Sequence, residues 1–218
     1  MLKKAVVCAA LLLACVFPVV APSFGLAPAK PETPKATLPA KPVASLPAST
    51  IDGSVVDIAA QKGWKVVYFW SDQCPCVQAC ERLSLIPLSR RYKGKVAFYG
   101  VASSPSNITT IGNPPRPALR TSGGARLWPP YDIVLDPKQE ILSRLGAAKA
   151  SETFLLDPQN RVVFWGIPDD STEYEQRTGK EGFSEAFLAD ALAEALAGKK
   201  ITRPVVPVVG CEIERRAK

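Results

Sequence analysis

From about residue 50 onward the apolar positions fall into short runs of two kinds, and these predict the elements. "WKVVYFW", Trp64 to Trp70, is a continuous run bounded by Gly63 and Ser71, the mark of a strand buried on both faces. Just before it, "TIDGSVVDI" sets Asp52-Gly53 between β-formers, a hairpin signal. From Pro75 to Tyr92 the apolar residues Val77, Leu83, Ile86 and Leu88 predict a helix, with Pro75 at a favourable first position and Pro87 expected to kink it. "KVAFYGVAS" predicts the next strand. The stretch 103–130 is dense in Pro, Gly, Ser and Asn and reads as a long loop with a helical turn near its centre. "YDIVLD" predicts a strand and "PKQEILSRLG" a short helix stopped by Gly146. "TFLLDPQNRVVFWG" predicts two strands joined by a turn at Asp157-Pro158-Gln159-Asn160. Last, Phe187, Leu188, Ala191, Leu192, Ala195 and Leu196 form one apolar helix face, with Ser184 placed to cap its start and Gly198 to close it. A helical crossover between strands implies an α/β fold, with a mixed sheet and helices on its faces.

The chain before this domain has a different character. Lys3 and Lys4 precede an apolar run from Ala5 to Val20, shorter than a comfortable membrane span and followed by small residues, so residues 1–29 read as a secretory signal. An uncleaved anchor is an alternative, and Leu12-Leu13-Ala14-Cys15 also resembles a lipobox, in which Cys15 would carry a lipid and tether the protein to a membrane. All three readings place the remainder outside the cytoplasm, in a periplasm or an equivalent compartment. Residues 30–49, rich in Pro, Ala and Lys, read as an extended linker, residues 50–200 as the folded domain and 201–218 as a tail.

Composition narrows the chemistry. The 218 residues include 27 Lys and Arg against 20 Asp and Glu, but the basic residues are scattered. The clusters Arg90-Arg91 and Arg215-Arg216 lack interleaved aromatics, so they read as solvated surface and no nucleic-acid partner is expected. Histidine is absent, which excludes Ser-His-Asp and Cys-His catalysis and any His-ligated zinc or haem. Of the six cysteines, Cys8 and Cys15 lie in the leader, leaving Cys74, Cys76, Cys80 and Cys211 in a compartment where disulfides persist.

A strand ending "VVYFWSDQCPC", a kinked helix, the hairpin "FLLDPQNRVVFWG" and a final amphipathic helix together resemble the thioredoxin fold, a three-layer α/β/α sandwich. The likeness is to exported redoxins of the TlpA/ResA and AhpC/TSA kind. It covers roughly residues 50–200, and "GIPDD" at 166–170 and "VVPVVGCEI" in the tail also look like one redoxin subgroup. The resemblance implies a thiol-disulfide oxidoreductase that needs no cofactor and acts on protein thiols or disulfides. In that family the first cysteine sits where strand hands over to helix; a helix N-terminus offers free N–H groups and partial positive charge, which favour a thiolate. Cys74 holds this position. The family's second cysteine would fall on Val77, and Cys76 and Cys80 are its substitutes, so Cys74, Cys76 and Cys80 are the expected catalytic residues. The family's proline facing the active cysteine is replaced in the stretch Ala150-Ser151, and Val67 and Ser71 stand where peroxiredoxins carry proline and threonine.

Geometry leaves the pairing open. Cys76 and Cys80, at i and i+4, would have Cα atoms about 6 Å apart, within disulfide range. A Cys74–Cys76 bridge would close a small, strained and easily reduced ring. Cys211 is expected to bond to the cluster, with Cys80 as its first partner, and Cys74 is expected to be the most accessible and fastest-reacting thiol. Glu81 or Asp72 is a candidate for assisting proton transfer. Two other readings stand beside the oxidoreductase: a Sco-like site holding Cu(I) or another soft metal on thiolates, and a non-catalytic module stapled by disulfides.

Overall fold

The computed structural model describes residues 37–51, 53–112, 119–120, 126–127 and 129–216. In chain order its elements are β1 (Pro47–Ser49), β2 (Val55–Asp57), β3 (Trp64–Phe69), α1 (Pro75–Cys80), a π-helical turn (Glu81–Leu85), α2 (Ile86–Arg91), β4 (Val96–Ala102) and α3 (Pro105–Gly112). There follow β5 (Leu119–Arg120), β6 (Arg126–Leu127), β7 (Asp132–Leu135), α4 (Glu140–Leu145), β8 (Thr153–Leu156), β9 (Val162–Gly166), α5 (Ser171–Thr178) and α6 (Phe187–Leu196). Seven strands form one mixed sheet in the order β2-β1-β7-β4-β3-β8-β9, and β5 and β6 pair separately.

The apolar run that predicted β3 is explained by its place. It lies between β4, parallel to it, and β8, antiparallel, and Val66 to Phe69 are buried. A strand buried on both faces has no polar side to alternate with. The β3–helix–β4 crossover gives a parallel pair, and the β8–β9 hairpin followed by α6 completes the thioredoxin-like α/β arrangement. Cys74 is thereby delivered to the end of β3 in the sheet interior, where loops from neighbouring strands converge.

Pro87 sits at the second position of α2, directly after a change in the helical hydrogen-bond pattern. A π turn lies directly before α2, in which the Ile86 N–H donates to the Glu81 carbonyl five residues back, and Glu81 at its start is fully buried. Gly146, in the left-handed region at φ 71°, closes α4 as expected.

Several sequence expectations can be set against the fold. The folded part begins before residue 50: Val43 and Leu46 are buried, and β1 pairs with β2 and β7. The Asp57 carboxylate organises this region, accepting from the Leu46 and Ala59 N–H groups at 2.7 and 2.9 Å and from Ser45 Oγ at 2.7 Å. Second, a helix, α3, opens the 103–130 stretch, and the helical turn expected near its centre falls largely outside the described residues. Third, Ser184 does not cap α6, whose N-cap is Ala186. Its N–H and Oγ donate to the Asp170 carboxylate at 2.7 and 2.6 Å, tying the loop before α6 to the start of α5. Finally, the tail is not loose. Its residues 204–206 line the edge of β9, with the Trp165 N–H donating to the Pro204 carbonyl and the Val206 N–H to the Trp165 carbonyl. Arg215 and Arg216 are exposed, as the sequence reading expects, and also donate to the carbonyls of Ala147 and Pro137 at 2.7 and 3.0 Å.

The leader, the lipobox-like Cys15 and the first part of the Pro-rich segment lie outside the described residues. Among the described residues no helix is long and apolar enough to cross a membrane.

Candidate functional site

The turn from β3 into α1 is fixed by short-range polar contacts. Ser71 Oγ accepts from the Gln73 N–H and donates to Asn107 Oδ1, both at 3.3 Å, and Gln78 Nε2 donates to the Asp72 carbonyl at 2.7 Å. Cys74 follows as the N-cap of α1, in extended backbone conformation, with Pro75 at the first helical position. Its side chain is only 1 % exposed. The sequence expectation that Cys74 is the accessible thiol is therefore corrected: position at the helix mouth and exposure do not coincide here.

The other cysteines have distinct surroundings. Cys76 is partly buried; its pKa is raised first by burial, and repulsion from Cys74 adds to this. Cys80 is fully buried and turns away from the mouth, donating from Sγ to Asp169 Oδ1 at 3.7 Å, with Ser171 Oγ 3.9 Å away. Burial, then repulsion by Asp169, pushes its pKa well above the ordinary thiol range. The Asp169 carboxylate also accepts from Ser84 Oγ and from the Ser171 N–H. Cys80 is thus the protonated member of a buried polar network joining the long helix to α5.

Cys211 is exposed, and the tail holds it on the loop beside the end of β3, where the Ala150 N–H donates to its carbonyl at 2.8 Å. Hydrogen bonding to Cys74, then burial, then repulsion from Cys74 and Cys76 raise its pKa to about 11. The expected partnership of Cys211 with Cys80 is not what the fold provides: Cys80 is buried against Asp169 and Ser171, and the tail holds Cys211 on Ala150. All four cysteines are free thiols.

The tail reaches this place over the loop 147–152, which stands where the family carries its proline. Ser151 has φ 81°, outside proline's range, and its N–H donates to the Phe69 carbonyl at 2.9 Å. Glu152 supplies the rigidity: its buried carboxylate accepts from the N–H groups of Ala148 and Lys149 at 2.9 and 2.8 Å and from Trp165 Nε1 at 2.9 Å. Across the loop, the Ala150 N–H donates to the Cys211 carbonyl at 2.8 Å, the Ile213 N–H to the Ala148 carbonyl at 2.9 Å, and Ser151 Oγ to the Val209 carbonyl at 2.8 Å. Lys149 and Glu212 form an antiparallel bridge.

Beneath the mouth, Glu81 accepts from Trp70 Nε1 at 3.0 Å and from the Tyr131 hydroxyl. Burial raises its pKa to about 7, although both hydrogen bonds oppose the rise. A folded-state pKa above the unfolded value means that the folded protein holds the proton more tightly. The resulting stabilisation is complete below about pH 4.5 and is lost as pH rises toward 7, amounting to roughly 3 kcal/mol. Glu81→Gln should remove this dependence. Urea unfolding between pH 4.5 and 8 should show the wild type falling relative to the variant; a constant difference would mean that Glu81 titrates normally.

Several of these partners carry signals that were legible but weak. Asp169 and Ser171 adjoin "GIPDD", and Asp170 before a segment closed by Gly179 at φ 67° has the form of a helix start and stop. α5 is nearly all polar, so periodicity does not reveal it. The bracing role of Glu152 and the hydroxyl of Tyr131 over Glu81 depend on tertiary contacts alone. Asp72, the other proton-transfer candidate, has Oδ1 buried without a hydrogen-bond partner.

Among the described residues, no group of three or more Cys, Asp or Glu side chains is arranged to hold a metal ion, so the Sco-like alternative gains no support. A cavity of about 720 Å³ bounded by Leu38, Trp64, Pro158, Val163 and Pro204 contains none of the cysteines.

No protein-family model matches the chain, and no curated protein matches it significantly. Solved structures do. A hypothetical protein from Sinorhizobium meliloti superposes with a TM-score of 0.68 at 22% identity, covering 85% of this chain and 98% of that one. An uncharacterised conserved protein from Geobacillus kaustophilus gives 0.66 at 21%, covering 82% and 92%. A thioredoxin-like protein from Aeropyrum pernix matches less completely, at 0.43 and 18%, over 61% of this chain and 86% of that one. At these identities the likeness is one of fold.

Proposed function

We propose that the protein is an extracytoplasmic thiol-disulfide oxidoreductase of the exported-redoxin kind, close in character to TlpA/ResA-like or AhpC/TSA-like proteins, with Cys74 as its reacting group. The observation that carries this reading is the placing of thiols at one end of the sheet: Cys74 caps α1 after the central strand β3, Cys76 lies in the first turn, and the tail holds Cys211 on the neighbouring loop through the Ala150 N–H. A purely structural staple is better served by cysteines spread across the fold, closing long loops as formed bridges.

In the reaction, the Cys74 thiolate attacks one sulfur of a partner protein's disulfide. A mixed disulfide forms and one partner thiol departs with the proton. A neighbouring thiol of this protein then attacks the Cys74 sulfur, releasing the second partner thiol and leaving an internal disulfide. Two electrons and two protons pass to the partner, and a dithiol reductant restores the protein; the reverse sequence oxidises a dithiol. Cys76 can supply the second thiol at the cost of a strained ring. Cys80, protonated and engaged by Asp169, serves the fold more than the exchange.

The leader supports export, and Cys15 offers a lipid tether to the membrane; intact mass of the mature protein distinguishes cleavage, anchoring and lipidation. Insulin-disulfide reduction driven by a dithiol reductant tests the activity. The protein should accelerate it, and a rate equal to that of the reductant alone would contradict the reading. Cys80→Ala should keep at least about half of the activity, whereas a loss as large as that from removing Cys74 would make Cys80 a reacting thiol.

A further inference from the structure

We propose that Cys211 is the redox partner of Cys74, delivered by a tail that also closes the site, so that a substrate reaches Cys74 only when the segment around Gly210 lifts. This rests on the oxidoreductase reading and names the second thiol that it requires.

Three independent observations converge. The tail is docked by backbone geometry as an added antiparallel segment on the loop 148–151, through the Ala150–Cys211 and Ile213–Ala148 hydrogen bonds and the Ser151–Val209 contact. Its far end is held by Gln139 Nε2, which donates to the Glu214 carbonyl at 2.7 Å, and by Arg215 on the Ala147 carbonyl. This docking fixes the position of the residue at 211, and that residue is a cysteine.

The second observation is the close approach at Gly210. A Cβ there would lie 2.1 Å from the Ala150 carbonyl oxygen and 2.6 Å from Ser151 Oγ. Only glycine permits this backbone contact, so the tail is built to lie directly on the loop. The third is the burial of Cys74. Cys74, at the helix mouth, is 1 % exposed, while the Cys211 carbonyl accepts from Ala150 on a loop whose Ser151 N–H donates to the Phe69 carbonyl at the end of β3, so the tail is held on the side of the strand end that delivers Cys74.

The chemistry balances with one class of co-reactant. Cys74 attacks a substrate disulfide and releases the first substrate thiol. The Cys211 sulfur then attacks Cys74 Sγ, forming the Cys74–Cys211 disulfide and expelling the second thiol. A dithiol reductant then reduces the bridge. An extended peptide replacing the tail finds the same Ala150 N–H and Ser151 Oγ, and in the same register it is restricted to a small residue immediately before its cysteine.

Two variants of the full chain test this. The oxidised wild type, digested without reductant, should yield a peptide joining the "CPCVQACER" region to the "GCEIER" region through Cys74. In the reduced protein, Gly210→Ala should raise the rate of Cys74 alkylation at least about tenfold over wild type, with Cys80 still protected. Cys211→Ser should leave Cys74 unable to form that bridge. Oxidised Cys74 found joined to Cys76 or Cys80, or labelling of Cys74 in folded Gly210→Ala no faster than in wild type, overturns the proposal. Should Gly210→Ala unfold, Cys80 labels as fast as Cys74 and the crosslink in the wild type decides alone. Faster labelling and a Cys74–Cys211 bridge in a protein that reduces no disulfide would leave the tail's role standing and defeat the oxidoreductase reading instead.

Discussion

Cys74→Ser should lower insulin-disulfide reduction by more than about 100-fold while leaving the urea midpoint nearly unchanged. A serine hydroxyl is nearly isosteric with the thiol but cannot form a disulfide, so every exchange step through this position is lost. Stability is spared because Cys74 caps α1 through its backbone, without a side-chain capping bond. The paired measurement of rate and stability matters. An inactive variant with a much lower midpoint would show only that the mouth had collapsed, and an active one would transfer the reaction to Cys76 or Cys211.

The second large effect is on the fold. Ser151→Pro, which restores the residue type that the redoxin resemblance leads one to expect, should destabilise the protein by roughly 3 kcal/mol or more. Proline fixes φ near −65°, whereas Ser151 sits at 81°, and it removes the N–H that donates to the Phe69 carbonyl. It also removes the hydroxyl that holds Val209. Ser151→Gly tolerates the same backbone and loses only the hydroxyl contact, so it should cost about 1 kcal/mol. Urea unfolding of both variants provides the check; equal midpoints for Pro and Gly would mean that the loop can adopt a second conformation at no cost.

Where the sequence was informative, a local physical rule acted without interference. The continuous apolar run Trp64–Trp70 could bury both faces only in a central strand, and Gly146 and the Asp157–Asn160 turn marked ends that their backbone conformations required. The α/β class and the place of Cys74 at the strand-to-helix junction followed from those elements. Where the sequence misled, a distant partner overrode the local signal. Ser184 is a competent cap but is taken by Asp170. Arg215 and Arg216 are surface charges as read, and the hydrogen bonds by which they also pin the tail leave no sequence signal. Cys211 was expected to bond to Cys80, but where the tail places it depends on a close approach at Gly210 that leaves no periodic trace.

The most direct test of the central claim is a redox titration of the full chain in buffers of graded thiol-disulfide ratio, with each cysteine quantified by differential alkylation and mass spectrometry. Cys74 should pass from thiol to disulfide in one reversible two-electron transition, while Cys80 remains a thiol that labels only after unfolding. A Cys74 that stays reduced across the whole range, or is oxidised irreversibly, would contradict the account.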